Sequence, residues 1–416
     1  MPNPIIHVIG AGLAGLAAAV RLKDAGFDVV VHEAAAQAGG RCRSYYDPAL
    51  GTMIDNGNHL VLSGNHATRS YLQLIDAEKA LSGPAIAEFS FVDLATNERW
   101  CLRPNEGRLP WWILSTARRV PGTRALDYLG IVRLLWANPA SPIGMAMNCS
   151  GPIYARLWRP FLLAALNTEP RDAAAGLAAA VIRETLLAGG RACRPLIARS
   201  GLSTALVEPA IHFLQTRHGR ISYGRRLRAL AYGESRVETL DFGEDVIRLA
   251  PEDAVVLAVP PLAAASLIPE LQTPTEFRSI LNAHFRILPP PSLAVITGVV
   301  NGTIEWIFSF PDRLSVTVSS ADRFLEIPRE TMARDIWREV SAVTGIADGL
   351  PQWQIVRERR ATFAALPRQN ARRPGAKTAW DNLFLAGDWT ATGLPATIEG
   401  AIRSGNRAAE LISGRA

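Results

Sequence analysis

The stretch Ile5-Ile6-His7-Val8-Ile9-Gly10-Ala11-Gly12-Leu13-Ala14-Gly15 decides the fold of this chain. Its first five residues form an apolar run short enough for a buried strand, and a G-x-G-x-x-G pattern follows at once. Residues 16–25 predict a helix that Gly26 stops, and residues 27–32 predict a second strand that leads directly to Glu33. Strand, glycine turn, helix, strand and acid in this order predict a dinucleotide-binding unit.

Each residue type in this unit has a physical role. Gly10 allows the tight turn out of the strand, Gly12 lets a pyrophosphate approach the backbone, and Gly15 lets the helix pack closely on the sheet. The start of the helix presents free N–H groups and a positive dipole end to the phosphates. Glu33 can accept hydrogen bonds from both hydroxyls of an adenosine ribose, and it would repel a 2′-phosphate, which argues against NADP.

A second signature, Gly39-Gly40-Arg41, follows about seven residues after the acid, a spacing found in flavoproteins with two dinucleotide-binding domains. Its glycines can bend the backbone round a cofactor, and Arg41 can neutralise pyrophosphate charge. The alternative is an exposed loop arginine, but the spacing favours the cofactor site.

The end of the chain predicts the closing part of the same domain. Residues 382–388 predict a strand that ends in Gly387-Asp388, and Thr397 then opens a helix that runs to Ile412. In flavoproteins with two such domains this Gly-Asp supplies a carboxylate to the ribityl or pyrophosphate region. The dipole of the helix points at the pyrimidine end of the flavin. The alternative is an ordinary strand, loop and helix capped by Thr397.

Composition limits the class of protein. With 416 residues, 48% hydrophobic and 20% charged, we expect a globular chain of two domains. The net charge of +6 permits contact with nucleic acid or anionic lipid, but no basic run is interleaved with base-stacking aromatics, so we expect no nucleic acid.

Location is predicted from the cysteines and from the apolar runs. The four cysteines are far apart without a CxxC, which gives little support to a metal site or disulfides and favours a reducing cytoplasm. The first strand begins at residue 5, which leaves no room for a signal peptide, and no uncharged apolar run has the length of a membrane span. We expect a cytoplasmic protein, soluble or peripheral on the inner membrane face.

The domain division follows from a later apolar strand. Asp253–Pro261 is a continuous apolar run ended by two prolines, which is typical of a sheet covered on both faces, so the chain returns there to the first sheet. We therefore predict an α/β fold with a discontinuous Rossmann-like FAD-binding domain and an interleaved α+β substrate domain. The first domain takes residues 1–60, 200–265 and 370–416, and the second takes residues 61–199 and 266–369.

Further elements are predicted between these blocks. Residues 66–80 and 329–344 predict helices, residues 292–300 and 306–319 predict strands, and Ser200 or Ser203 is predicted to cap a helix.

The segment 108–136 combines tryptophans, leucines and arginines. Aromatic and basic side chains together suit the interface of a bilayer, and we hypothesise that this segment docks on a membrane and opens a substrate tunnel. The alternative is a pair of substrate-domain helices buried in the core.

These blocks together resemble the FAD-dependent amine oxidase and phytoene desaturase superfamily, over nearly the whole chain. Three stretches are similar to one branch, the squalene-associated FAD-dependent desaturases or hydroxysqualene dehydroxylases of bacterial hopanoid synthesis. They are residues 55–59 (DNGNH), residues 157–168 (LWRPFLLAALNT) and residues 387–401 (GDWTATGLPATIEGA).

The resemblance implies FAD as the cofactor and assigns residues to it. The implied FAD contacts are Gly10, Gly12, Leu13, Ala14, Gly15, Glu33, Ala34, Gly40, Arg41, Gly57, Leu227, Gly387, Asp388, Ile398 and Ala401. Leu227 falls where the family clamps adenine with a backbone contact, and Asn58 and His59 lie where the chain passes the flavin ring.

The resemblance further implies an oily substrate, a hydroxylated polyprenyl alcohol, which is reduced to squalene with loss of water. Such a reaction needs an apolar tunnel, a proton donor and exclusion of water. His59 is our candidate donor, with Asn58 beside it, because histidine titrates in the range that suits a general acid; a structural histidine is the alternative. Other squalene-pathway enzymes are implied as partners.

Three other functions stay open at this stage. An oxidative carotenoid or squalene desaturase shares the fold and the greasy substrate. An amine oxidase is disfavoured because Pro395 and Ala396, rather than an aromatic residue, precede the last helix. A non-catalytic, flavin-bound scaffold or lipid carrier is the third.

Overall fold

A computed structural model describes residues 4–347 and 349–414 of the chain. The strands, numbered in chain order, are β1 Ile5–Ile9, β2 Asp28–His32, β3 Ser44–Asp47, β4 Thr52–Asp55, β5 Val61–Leu62, β6 Phe89–Asp93, β7 Arg99–Leu102, β8 Pro195–Leu196, β9 Arg220–Ser222, β10 Ala229–Tyr232, β11 Val237–Asp241, β12 Val246–Arg248, β13 Ala254–Leu257, β14 Phe277–Phe285, β15 Ile296–Val300, β16 Trp306–Ser309, β17 Leu314–Val318, β18 Trp353–Phe363 and β19 Leu383–Leu385.

The α-helices are numbered in the same way. They are α1 Leu13–Asp24, α2 His66–Leu74, α3 Gly130–Leu135, α4 Ile143–Ala146, α5 Arg159–Leu166, α6 Ala175–Glu184, α7 Glu208–Thr216, α8 Pro261–Leu267, α9 Arg329–Thr344, α10 Pro367–Asn370 and α11 Ile398–Ile412. Short 3₁₀ segments lie at Gly40–Cys42, Glu78–Ala80, Trp111–Leu114, Ala125–Leu129, Pro170–Asp172, Leu186–Ala188, Gly190–Ala192 and Ala321–Phe324. Short π-helical segments lie at Tyr154–Trp158 and Ser203–Val207.

The predicted dinucleotide-binding unit forms the centre of a five-stranded parallel sheet in the order β19-β13-β1-β2-β9. Its strands come from residues 5–32, 220–257 and 383–385, so distant parts of the chain build one sheet. β13 pairs in parallel with β1, with Ala254 opposite Ile6, which confirms the predicted return of the chain to the first sheet. The α/β class predicted from the sequence is confirmed by this sheet.

Close backbone approach explains two glycines of the first motif. Gly10 has a φ of +106°, and a Cβ placed there would lie 2.5 Å from the carbonyl oxygen of Ala258. A Cβ on Gly15 would lie 1.9 Å from the carbonyl oxygen of Gly10. Any side chain at these positions would force β1, α1 and the segment after β13 apart.

α11 closes this domain by packing against α1. A Cβ on Gly405 of α11 would lie 2.1 Å from the carbonyl oxygen of Ala14 and 2.9 Å from the backbone nitrogen of Ala18. α11 begins at Ile398, and Thr397 is its N-cap, with its Oγ1 accepting the N–H of Gly400 at 3.0 Å. The first and last helices of the domain therefore touch backbone to backbone.

The second large sheet has seven strands in the order β18-β14-β17-β16-β15-β6-β7. One face packs on α9, whose Ile336 and Val340 are fully buried, and the helix has the bounds that the sequence predicted. The other face shares a hydrophobic core with α5 and α6. β10, β11 and β12 form a small antiparallel sheet beside the first domain.

Some sequence predictions were wrong in detail. The single strand predicted over residues 306–319 is two antiparallel strands, β16 and β17, because a turn intervenes in which the N–H of Phe310 binds the carbonyl of Arg313 at 2.9 Å. The helix predicted over residues 66–80 ends at Leu74, and a 3₁₀ turn follows after a gap. Neither Ser200 nor Ser203 caps a helix; the Oγ of Ser203 accepts the N–H of Ser44 at 2.7 Å instead.

In the part of the chain that the structure describes, we find no helix with both the length and the hydropathy needed to cross a bilayer.

The contact between α1 and α11 predicts a steep cost for one added methyl group. We expect Gly405→Ala to lower the free energy of unfolding by about 1–3 kcal/mol, because its Cβ would overlap the backbone of α1. Chemical denaturation measures the change. Gly375→Ala is the matched control, since a Cβ there meets no atom within 4 Å. Equal stability of the two variants would contradict the close packing of the two helices.

Candidate active site

The loop between β1 and α1 leaves open space at the one glycine that the sequence assigned to a pyrophosphate. A Cβ built on Gly12 meets no heavy atom of residues 4–347 or 349–414 within 4 Å, in contrast to Gly10 and Gly15. The first turn of α1, which includes Leu13 and Ala14, follows directly, and N–H groups in a first turn have no carbonyl one turn earlier to bind. Backbone donors and free space therefore coincide, as phosphate binding at a helix N-terminus requires.

Glu33 is fixed at the edge of this loop. Its Oε2 accepts the N–H of Ala11 at 2.7 Å, and its Oε1 accepts the N–H of Ala35 at 2.8 Å. Each carboxylate oxygen keeps a lone pair for a further donor. The next residue, Ala34, is exposed beside it. The carboxylate is thus aligned next to the glycine loop, where the sequence analysis expects a ribose.

The turn after β9 lies against the Glu33 segment. The N–H of Arg225 binds the carbonyl of Glu33 at 2.9 Å, and the N–H of Gly224 binds the carbonyl of Ala35 at 3.1 Å. Leu227 follows two residues later, and its side chain is buried in the core. An adenine contact at Leu227 would accordingly come from its backbone, which is how the resemblance assigns it.

An ion pair joins the second signature to the last one. Arg41 donates to Asp388 across 347 positions of sequence, with Nη2 lying 2.8 Å from Oδ1 and 2.7 Å from Oδ2. The carboxylate beside it raises the pKa of Arg41 above its ordinary value, so the guanidinium stays charged. Arg41 also donates to the carbonyl of Ala361 on β18. Gly40 lies so close to Gly12 that a Cβ on it would be 3.4 Å from the Cα of Gly12.

Sequence reasoning missed Arg373, which holds the Gly387-Asp388 loop. The buried guanidinium donates to the carbonyls of Asp388, at 3.2 Å, and Thr390, and to the Oγ1 of Thr392 at 3.0 Å. Burial lowers the pKa of Arg373 to about 10. The N–H of Gly387 binds the Oγ of Ser404 on α11 at 2.8 Å, so the loop is tied to its helix as well. One arginine in an arginine-rich chain gives no sequence signal for this role.

Glu399, in the first turn of α11, has a structural partner. Its carboxylate accepts the N–H groups of Ala67 and Thr68, both at 2.9 Å, at the start of α2. It also accepts the Nε–H of Arg403 at 2.9 Å. Glu399 therefore caps a second helix. Its neighbours Ile398 and Ala401, which the resemblance assigns to FAD, are buried and half-buried, respectively.

His59 lies in the loop after β4 as a neutral imidazole. Burial lowers its pKa below the ordinary value. Its Nδ1 lies 2.9 Å from the carbonyl oxygen of Gly57, and since a carbonyl only accepts, Nδ1 carries the hydrogen. Nε2 is then the acceptor nitrogen of the ring. His59 can therefore accept a hydrogen bond from an alcohol at neutral pH, and it can donate a proton from Nε2 only after protonation.

The loop that carries His59 is tied to the seven-stranded sheet by two amides that sequence reasoning did not connect. The backbone N–H of Asn58 binds the Oδ1 of Asn282 at 3.3 Å, and its Nδ2 binds the Oγ1 of Thr317 at 3.1 Å. These contacts fix how both amides are oriented. Within the described part of the chain, they leave the Oδ1 of Asn58 and the Nδ2 of Asn282 buried without a partner, at a cost of about 1–3 kcal/mol each. The Nδ2 of Asn282 faces Gly57, whose Cβ, if it had one, would lie 3.2 Å away.

Asn282 and Thr317 begin a row of side chains that crosses one face of the seven-stranded sheet. Cross-strand partners place on this face, in order, Val356, Asn282, Thr317, Trp306, Gly298, Phe91 and Trp100. A Cβ on Gly298 would lie 2.4 Å from the ring of Phe91, so this glycine makes room for the aromatic rings. The row is polar beside His59 and becomes aromatic away from it. The alternation of Ser315, Thr317 and Ser319 with valines was the available sequence signal for one polar face.

The arrangement fits a dinucleotide cofactor. The open glycine loop, the aligned Glu33 carboxylate and the Arg41–Asp388 pair come from three regions of the chain and lie together at the parallel sheet. A cationic guanidinium and free helix N–H groups suit a pyrophosphate, and a carboxylate suits ribose hydroxyls.

Comparison with known proteins identifies the family. The family model of flavin containing amine oxidoreductases matches residues 13–127 and 147–413. A hydroxysqualene dehydroxylase of Rhodopseudomonas palustris is 59% identical over 414 residues, covering 99% of each chain, and one of Zymomonas mobilis is 46% identical over 98% of each chain. The structure of a putrescine oxidase double mutant superposes with a TM-score of 0.73 over the full length of both chains at 18% identity, which shows a shared fold. The chain therefore belongs to the flavin containing amine oxidoreductase family and, within it, to the hydroxysqualene dehydroxylases.

Proposed function

We propose that this protein uses reduced FAD to convert hydroxysqualene to squalene in bacterial hopanoid synthesis. The observation that carries the proposal is the full-length match to proteins named hydroxysqualene dehydroxylase. In the proposed reaction the C–O bond of the alcohol breaks, a hydride forms the new C–H bond, and the hydroxyl leaves with a proton as water. Bound in its reduced state, FAD would supply the hydride.

The residues that would hold FAD lie at three places. The N–H groups at the start of α1 and the charge of Arg41 would face the pyrophosphate, with the backbone of Gly12 open to it. Glu33 would accept hydrogen bonds from the adenosine ribose. Asp388, held by Arg41 and Arg373, would accept from the ribityl chain. The remaining assigned residues, Gly10, Gly15, Ala34, Gly40, Gly57, Leu227, Gly387, Ile398 and Ala401, would shape the backbone round these groups.

The polar end of the sheet row would bind the hydroxyl of the substrate. Among the described residues, the Oδ1 of Asn58 is a buried acceptor and the Nδ2 of Asn282 a buried donor without a partner, and a hydroxyl group can pair with either kind of atom. His59 would accept the same hydroxyl at Nε2 and, once protonated, give it a proton. The aromatic side chains further along the row would face the polyprenyl chain, exclude water and favour a delocalised allylic cation.

Two other reactions are distinguishable by experiment. Oxidative desaturation of a carotenoid or of squalene would start from oxidised FAD. Amine oxidation is disfavoured because Pro395 and Ala396 stand where an aromatic side chain would flank the amine. A lipid carrier would show no redox change of the flavin with any polyprenyl compound.

A single-turnover experiment tests the proposed reaction. The purified protein loaded with FAD is reduced without oxygen and mixed with hydroxysqualene, and we expect flavin absorbance to return as squalene forms in equal amount. Mass spectrometry identifies the product. The oxidised protein is mixed in parallel with squalene and with phytoene, and flavin bleaching there would favour a desaturase. An unchanged flavin in all mixtures would refute the proposed reaction.

The ion pair predicts a change in cofactor affinity. We expect Asp388→Asn to weaken FAD binding about tenfold or more, because Arg41 loses the partner that orients it. Titration of the apoprotein with FAD, followed by flavin fluorescence, measures the affinity. The matched control is Asp93→Asn, which breaks the ion pair between Asp93 at the end of β6 and Arg156. An equal loss of FAD affinity in both variants would indicate general destabilisation and contradict the assignment of Asp388.

His59 predicts a pH dependence with a defined sign. Because burial lowers the pKa of His59, its protonated form is lost at a lower pH than that of an ordinary histidine, and we expect the single-turnover rate to fall as pH rises. His59→Ala is expected to keep FAD binding and to lose both the rate and its decline with rising pH. Rates of the two proteins measured over the same pH range provide the test. A variant with near-normal turnover would remove His59 from the mechanism.

A further inference from the structure

An apolar surface is exposed on the outer side of the segment 109–136, next to the substrate domain core. Six large apolar side chains of this segment are between 51% and 85% exposed. They are Leu109, Trp111, Leu114, Leu126, Leu129 and Trp136. We propose that this surface, called here the docking surface, binds the interface of an anionic lipid bilayer.

The segment that carries the docking surface has apolar side chains both on the side that packs in the core and on the side that meets solvent. Trp112, Tyr128, Ile131 and Leu134 of the same segment are buried in the core, so the segment already has its inward packing partners. The exposed leucines and tryptophans therefore remain after the core is satisfied. Six exposed large apolar side chains within one segment of this length favour an interaction site. The alternative from the sequence, a pair of helices buried in the core, is wrong for this segment, which forms two 3₁₀ turns and the short helix α3 and leaves six large apolar side chains exposed.

Charge selects the partner. Residues 108–136 contain five arginines and one aspartate, a net charge of +4. Arg108, Arg124 and Arg133 are exposed, and the guanidinium of Arg118 lies 4.7 Å from the ring centre of Trp111. Tryptophan with arginine beside exposed leucines matches a bilayer interface, where rings sit at the level of the head groups and cations meet lipid phosphates.

The same charge disfavours a second copy of the chain. Two copies joined through this surface would bring +4 against +4 in an isologous contact, and like charges facing each other at an interface are costly. Anionic lipid removes that repulsion and covers the leucines at the same time. The geometry thus points to a membrane as the occupant.

Docking would place the membrane next to the aromatic side chains that the proposed function assigns to the polyprenyl chain. The ring of Trp112 lies 5.2 Å from that of Tyr128, and Tyr128 lies 6.3 Å from Trp158, all in edge contact. These rings share one core with Phe91 and Trp100 of the sheet row. A polyprenyl alcohol leaving the bilayer here would pass along aromatic side chains and avoid water. This last step rests on the proposed function, whereas membrane binding itself does not.

Vesicle co-sedimentation tests the docking surface. The FAD-loaded protein is mixed with vesicles of phosphatidylcholine alone or with phosphatidylglycerol added. We expect binding to the anionic vesicles that weakens with salt. The double variant Leu126→Ser/Trp136→Ser is expected to bind about tenfold more weakly or worse. Its matched control is Val246→Ser/Leu288→Ser, which removes two exposed apolar side chains elsewhere and should bind as the unaltered protein does.

A charge variant and an activity measurement complete the test. Arg124→Gln/Arg133→Gln is expected to lose most of the salt-sensitive binding, whereas Arg334→Gln/Arg338→Gln on α9 retains it. Turnover of detergent-dispersed hydroxysqualene should be equal in all variants, so a failed reaction is distinguishable from failed docking. Absence of binding by the unaltered protein, or equal binding by the two apolar double variants, would overturn the proposal. So would a dimer in light scattering that only Leu126→Ser/Trp136→Ser dissociates.

Discussion

The pairing of Arg41 with Asp388 is the interaction on which the candidate site depends. These residues lie 347 positions apart, yet their side chains meet at 2.7–2.8 Å and join the loop after β2 to the loop after β19. Arg373 donates a hydrogen bond to the backbone carbonyl of Asp388, and the N–H of Gly387 binds the Oγ of Ser404 on α11. The candidate cofactor site therefore needs both ends of the chain: the glycine loop after β1 and the Gly387-Asp388 loop after β19.

The backbone contact of α1 with α11 serves the same closure. Gly405 lets the last helix lie directly on the first, and both helices begin at the carboxyl edge of the parallel sheet. In open α/β sheets, ligands bind at that edge, where the backbone N–H groups of helix N-termini have no intrahelical partner. Glu399 extends the arrangement by capping α2, so a third helix is oriented by a residue of the last motif. Packing and electrostatics are therefore set by the same few residues.

The second sheet gives this site its chemical character. Beside Asn58, the buried amide of Asn282 begins a row of side chains that continues through Thr317 to Trp306, Phe91 and Trp100. Burial lowers the pKa of His59, and a low dielectric raises the free-energy cost of every unpaired polar atom nearby. On the outside of the same core, leucines and arginines of residues 109–136 meet solvent. One hydrophobic core thus extends from the aromatic residues of the sheet row to the buried side of the segment 108–136.

The sequence by itself determined the dinucleotide-binding unit, the return of the chain at β13 and the α9 helix, because glycine spacing and hydrophobic periodicity are local properties. It also supplied the residues of the closing motif and the family. It did not reveal the turn that divides residues 306–319 into β16 and β17, nor the buried partners Asn282, Thr317 and Arg373. Those roles exist only when strands and loops far apart in the chain come together, since burial and hydrogen-bond partners are properties of the assembled fold. The same reason applies to the segment 108–136: its pattern suited either a core or a membrane, and only the tertiary structure decided which side chains remain uncovered.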